Sequence, residues 1–325
     1  MYTPRPMSSD GIPSFAELPA KKGAPADSSW GVFGADDGIG CLNFLKPEGV
    51  VAAARLVRDG KVFRLDAKLG FAAPPLFGRA ALTHTIVPLG PFANDDMLDR
   101  YNTQSGSQWD GLGHVGHNKH ARFYNDTRVE EIREQGNRKL GIHRWADRVV
   151  GRGVLIDGYG LRRARGRTVD PLVRVTYTLE ELEAALEAQK TKLEPGTVLL
   201  VRTGWMEAYE ALSPEDKKAI APFDKIRSIG IEPSRRVAAW LWDHRVAAIA
   251  TDCPAVEPLP MELADDGLLH YRALALLGLP LGELFVLAPL AEDCARDGRY
   301  EFMLVSAPLL VEGGIASPPN AVAIK

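Results

Sequence analysis

Three apolar runs in the middle of the chain most constrain what it can fold into: GVLID at 153–157, TVLLVRT at 197–203 and VAAIAT at 246–251. Each is nearly continuous rather than alternating, as expected of strands covered on both faces. Residues 62–65, 284–287 and 302–306 read as further strands. Helices fall between them. Residues 178–189 open with a capping box, Thr178 with Glu181, and carry Leu179, Leu182 and Leu186 at helical spacing. Residues 233–244 begin with proline, and residues 268–277 stop at Gly278. The pattern implies a mixed α/β fold with a substantial sheet.

The chain has 325 residues, no internal repeat and no linker long enough to divide it. Residues 1–27 are rich in Pro, Ser, Ala and Gly and read as a surface arm, leaving 28–325 as one domain. A net charge of −3 gives no electrostatic reason to expect nucleic acid or an anionic membrane as partner. The basic cluster Arg162, Arg163, Arg165 and Arg167 has no aromatic platform and reads as a solvated turn. Three cysteines, all far apart, fit neither a disulfide framework nor a cysteine-rich zinc module. With no secretory pattern and no apolar run of ~18 residues, a soluble cytoplasmic protein is expected.

The chemistry gathers in SGSQWDGLGHVGHNKHARFYN, residues 105–125, which holds three of the seven histidines. Asp110, His114 and His117 would share one face of a helix, but Gly111, Gly113 and Gly116 argue against a regular one. Glycines also let backbone close around a small site. Carboxylate oxygen with imidazole nitrogen suits Zn²⁺ or Mn²⁺. A hydrogen-bonded polar loop accounts for the same residues, and the segment alone does not decide. Far along the chain, His270 lies in an expected helix and Glu283 is a single carboxylate in an apolar stretch. Such a charge is costly to bury unless paired or bound to a cation. A core histidine and a turn glutamate are the plainer alternatives. Asp157 and Asp252, at strand ends, suit either a site or turn caps, while His84 and His143 read as structural. There is no GxSxG elbow and no GxGxxG after a strand, so neither a serine nucleophile nor a dinucleotide site is expected.

Four stretches together resemble the metal-dependent putative cyclase family, which includes bacterial kynurenine formamidase and isatin hydrolase. They are WGVFGADDGIGCLNFLKPEGV, SGSQWDGLGHV with FYN, VLLVRTGW, and HYRALALLGLPLGELF continuing to the closing strand. The better-known members carry H-x-G-T-H-x-D-x-P-x-H. Over residues 104–114 this chain has Gln104 and Gln108 for the two leading histidines and Leu112 for the proline, while Asp110 and His114 are kept.

The resemblance implies a swivelling three-layer β/β/α fold, a homodimer or homotetramer, and a small-molecule substrate. It implies one divalent ion, Mn²⁺ or Zn²⁺, held by Asp110, His270 and Glu283. Gln108 could add a carbonyl oxygen, and the position of Gln104 is weakened as a ligand. His114 would carry the proton of the activated water, with His117 the second candidate. Trp109, Phe123, Tyr124 and Trp205 would wall an aromatic-sized pocket, although each suits the core at least as well. The implied reaction is hydrolysis of a non-peptide amide, formamide or cyclic amide. The alternatives are lactone hydrolysis, dehydration or ring closure on the same scaffold, or a non-catalytic small-molecule binder.

Overall fold

The three apolar runs form the parallel centre of a nine-stranded sheet in the computed structural model, which describes residues 11–262 and 267–325. Val150–Asp157, Val198–Arg202 and Ala248–Thr251 lie side by side, with Leu155 beside Leu200 and Leu200 beside Ala250. Outwards from the first of these run Glu301–Ser306, Ala321–Ile324 and Val62–Arg64, all antiparallel. On the other side come Leu281–Glu283, Gln108–Asp110 and Ala316–Ser317. One hydrophobic cluster runs from Phe15 to Ala323 through both sides of the sheet.

The expected helices form. Leu179–Ala188 is capped by Thr178, whose side chain accepts from Glu181 N. Arg235–Asp243 is capped by Ser234 and buries Val237, Trp240, Leu241 and Trp242. Residues 269–270 begin a helical turn that widens into a π-type helix, Tyr271–Leu277, stopped by Gly278 at φ +64°. Wide turns of this kind recur at functional sites.

Four features go beyond the sequence reading. The strand expected at 284–287 lies earlier, at Leu281–Glu283, because Leu284 takes a left-handed φ of +57° and turns the chain away. The described part of the arm is tied into the core: Phe15 is buried, its N–H donates to Asp243 Oδ1, and Trp242 Nε1 donates to Pro13 O. The first ten residues of the arm lie outside the described residues. Within the basic cluster, Arg162 is buried, not solvated. Its guanidinium donates to Glu181 at 2.8 and 2.7 Å and lies 3.7 Å from the Tyr177 ring centroid. A hairpin, Thr83–Gly90 with Ala93–Asp99, is exposed along nearly its whole length. Among the described residues no helix is long and apolar enough to cross a membrane.

Candidate metal centre

Strand alternation sorts the QWD tripeptide. Gln108–Asp110 pairs antiparallel with Leu281–Glu283, placing Glu283 opposite Gln108 and Leu281 opposite Asp110. Side chains two apart share a face, so Gln108, Asp110 and Glu283 point one way and Trp109 the other. Trp109 Nε1 donates to Ser306 Oγ at 2.9 Å, and its ring meets Phe285 edge-on at 5.0 Å. Gly282 makes that packing possible, since a Cβ there would lie 2.5 Å from Ala250 Cβ and 2.7 Å from the Trp109 ring.

After the strand the chain turns rather than continuing as a helix. His114 N donates to Gly111 O at 2.9 Å, which folds the imidazole back to place Nε2 3.8 Å from Asp110 Oδ1. His270 enters from the start of the wide helix. Its Nε2 lies 3.4 Å from Glu283 Oε1 and 4.0 Å from Asp110 Oδ2. Thus Asp110, His114, His270 and Glu283, scattered over 174 positions of sequence, converge. Asp110, His114 and His270 offer ligand atoms that all lie within 4.8 Å of one another.

A second tier of residues fixes the first. Gln104 Nε2 donates to Asp110 Oδ1 at 2.8 Å, and Gln108 Nε2 donates to Glu283 Oε2 at 2.6 Å. Glu257, absent from the sequence reading, is buried and hydrogen-bonded to His270 Nδ1, and it also accepts from the backbone N–H groups of Leu269 and His270. A carboxylate on one imidazole nitrogen aims the other at a metal in many metalloproteins. The signal for Glu257 was present: it is another lone carboxylate among apolar residues, in AVEPLP.

The donor set fits a divalent cation. Asp110 Oδ2 is buried without a hydrogen-bond partner, and so is Gln108 Oε1. Two carboxylates and two imidazoles are compatible ligands for Mn²⁺ or Zn²⁺. Crowding of like charge shows in the protonation equilibria. Burial, then the charge of Asp110, pushes the Glu283 carboxyl up. Burial lowers the His114 pKa, against the charge of Asp110, and so favours its neutral ring. Burial also opposes a charge on His270, but Glu257 and Glu283 outweigh it and raise its pKa well above the ordinary range.

A cavity of about 250 Å³ opens onto this cluster. Phe77, Val115, Phe223, Pro254, Met261 and Leu268 form its apolar wall, with Arg79, His114, His270 and Glu283 as its polar groups. The aromatics expected there sit elsewhere, held by the large apolar area each buries. Trp109 is on the opposite face of its strand. Tyr124 is buried and donates to Asp37 Oδ2 at 2.9 Å, and Phe123 packs beside Gly116. Trp205 stacks on Tyr209 at 4.9 Å. His117 is buried against Tyr271, ring centroids 5.0 Å apart, and is not part of the cavity wall. Asp252 accepts from Thr203 N, Thr203 Oγ1 and Gly204 N, so it anchors the strand end, while Asp157 pairs with Arg202.

A family profile described as "Putative cyclase" matches residues 74–258. A solved structure of a novel cyclase is 34% identical, with a TM-score of 0.80 over 92% of this chain and 99% of that one. An isatin hydrolase bound to the product analogue thioisatinate is 16% identical, with a TM-score of 0.57 over 85% of this chain and 96% of that one. A predicted metal-dependent hydrolase from Bacillus stearothermophilus is 14% identical, with a TM-score of 0.50 over 82% of this chain and 98% of that one. The last two show a shared fold. No curated protein matches the sequence.

Proposed function

The chain belongs to the putative cyclase family, and from that membership we propose that it hydrolyses a carbon–nitrogen bond in a small non-peptide amide, formamide or cyclic amide, using one Mn²⁺ or Zn²⁺ ion. The observation that carries this reading is the buried, partnerless Oδ2 of Asp110 facing His270, beside Glu283 and beneath a cavity of small-molecule size.

Asp110, His270 and Glu283 would hold the ion. When bound, a divalent ion supplies Lewis acidity, easing deprotonation of water and polarising a carbonyl. Glu257 keeps the Nδ1 proton of His270 and leaves Nε2 facing the two carboxylates. Gln104 and Gln108 fix the rotamers of Asp110 and Glu283. His114 lines the cavity with a side chain 26% exposed. Its neutral ring takes the proton of the attacking water and delivers it to the departing nitrogen. The apolar wall excludes bulk water and receives the acyl or aryl body of the substrate.

The test is turnover of a panel of N-formyl arylamines, cyclic imides and lactones, before and after chelation. Metal-dependent release of the amine supports the reading. Turnover of lactones alone would move the activity to ester chemistry, and turnover of none, with metal bound, would leave a binding protein.

A self-associating, cytoplasmic protein completes the proposal. The three cysteines are buried and unpaired, as suits a reducing compartment. The hairpin exposes Ile86, Leu89, Met97 and, at 99%, Phe92. A lone two-stranded hairpin is marginal in water. The reading is that a second copy of the chain covers it, an ordinary stable interface burying on the order of 800 Å² per partner. Light scattering that gives a dimer or tetramer mass for wild type and a smaller mass for Phe92→Asp supports this. A monomeric wild type contradicts it.

A further inference from the structure

Arg79 lines the cavity, and among the described residues the only hydrogen bond of its side chain runs from Nη1 to the backbone carbonyl of Gln104. Among the described residues it has no carboxylate partner, although Asp110, Glu257 and Glu283 are all buried in the adjoining site. A guanidinium carries five N–H donors in a planar fork, so four remain unspent beside the cavity. Its charge is felt inside: it opposes protonation of both His114 and Glu283.

The chain holds this cation in place at a cost. Phe77 takes a left-handed φ of +63°, a conformation that costs a bulky residue on the order of 1–3 kcal/mol. Phe77 N donates to Ala221 O at 2.8 Å, which fixes the turn against the segment carrying Phe223. The Phe77 ring then lies 4.9 Å from the Arg79 guanidinium carbon and 6.0 Å from the Phe223 ring, itself 64% exposed. A planar cation stacked on one aromatic ring, with a second ring beside it, makes a preformed mouth for an apolar body that ends in an anion.

We propose that Arg79 is a specificity-determining residue that binds a carboxylate on the substrate, so the substrate class is an apolar, aromatic-sized amide carrying a carboxylate at the end remote from the scissile bond. The unspent fork matches a carboxylate in bidentate geometry. A singly charged group fits better than a phosphate dianion, because the buried carboxylates below repel the second charge. The phenyl-sized body rests on Phe77 and Phe223, and the carbonyl reaches down to Asp110, His114, His270 and Glu283. This placement of the carbonyl rests on the hydrolase reading, whereas anion binding by Arg79 stands without it.

The experiment is calorimetric titration of phenylacetate and its neutral ketone analogue phenylacetone into wild type, Arg79→Met and Arg79→Lys. Wild type is expected to bind the carboxylate at least about tenfold more tightly than the ketone, a charge-assisted bidentate preference. The ratio should fall to about one in Arg79→Met and lie between in Arg79→Lys, which keeps the charge and loses the fork. A preference that persists in Arg79→Met overturns the proposal, since the anion is then bound by something else. A wild type without the preference, including one that binds neither compound, also overturns it. Neither compound is turned over in this assay. Failure of the hydrolase reading therefore leaves the preference intact, and failure of this inference leaves turnover intact.

Discussion

Gln108 Nε2 donates to Glu283 Oε2 across 2.6 Å, joining two residues that face each other in an antiparallel register. The glutamine where better-known relatives carry histidine therefore has its amide nitrogen committed to a carboxylate. Reversing the amide would set oxygen against oxygen, so the contact fixes its orientation. Removing it in Gln108→Leu strands Glu283 and should weaken metal binding about 10- to 100-fold. Competition against a chromogenic chelator measures this, with circular dichroism expected to stay unchanged.

Glu257 makes a parallel case from the other side of the site. It binds His270 Nδ1 and two backbone N–H groups at once, so it sets both the ring tautomer and the start of the helix. Glu257→Gln keeps the shape and some of the acceptors but no longer supports the ring with a charge. Metal affinity should drop about tenfold or more, read by the same competition titration.

His114 is placed as the proton carrier even though its ring is near enough to Asp110 and His270 to share a cation with them. The two roles separate cleanly in His114→Ala. A proton carrier leaves metal stoichiometry unchanged and lowers kcat about 10²- to 10⁴-fold. Loss of the metal instead would make His114 a ligand.

Away from the site, Asp293 is 1% exposed and collects Lys61 at 2.9 Å, Arg296 at 2.8 Å and Lys325 at 3.1 Å. Hydrogen bonds from Lys61 and then Arg296 hold its carboxyl far below the usual range. In the unfolded chain an aspartate titrates near ~3.9. The cluster thus stabilises the fold fully above about pH 4, and that contribution is lost as pH falls from there towards the folded pKa. Urea denaturation from about pH 2.5 to about pH 6 should show a smaller loss of stability on acidification in Asp293→Asn than in wild type.

Much of the fold was legible because burial on both faces leaves a direct mark: GVLID, VLLVR and AIAT became adjacent parallel strands. The metal cluster was reached through the resemblance, which named Asp110, His270 and Glu283. The residues alone had left a polar loop and a core histidine open. The aromatics had been left open between pocket wall and core, and for Trp109 strand geometry decides. In a QWD strand the middle residue must face away from its neighbours, which takes Trp109 out of the cavity that Asp110 faces. Glu257 could have been found by the argument applied to Glu283, a lone acid among apolar residues. Arg79, Phe77 and Phe223 left no comparable trace. They meet through a left-handed turn and a contact across more than a hundred positions, and neither has a local pattern.

The central claim is that Asp110 and His270, distant in sequence, hold one ion between them. Plasma mass spectrometry of wild type, Asp110→Ala and His270→Ala tests it most directly. The account predicts about one Mn or Zn per wild-type chain and loss of that ion in both variants. A wild type that takes up no metal after reconstitution with Mn²⁺ and Zn²⁺, or variants that retain it fully, would contradict the account.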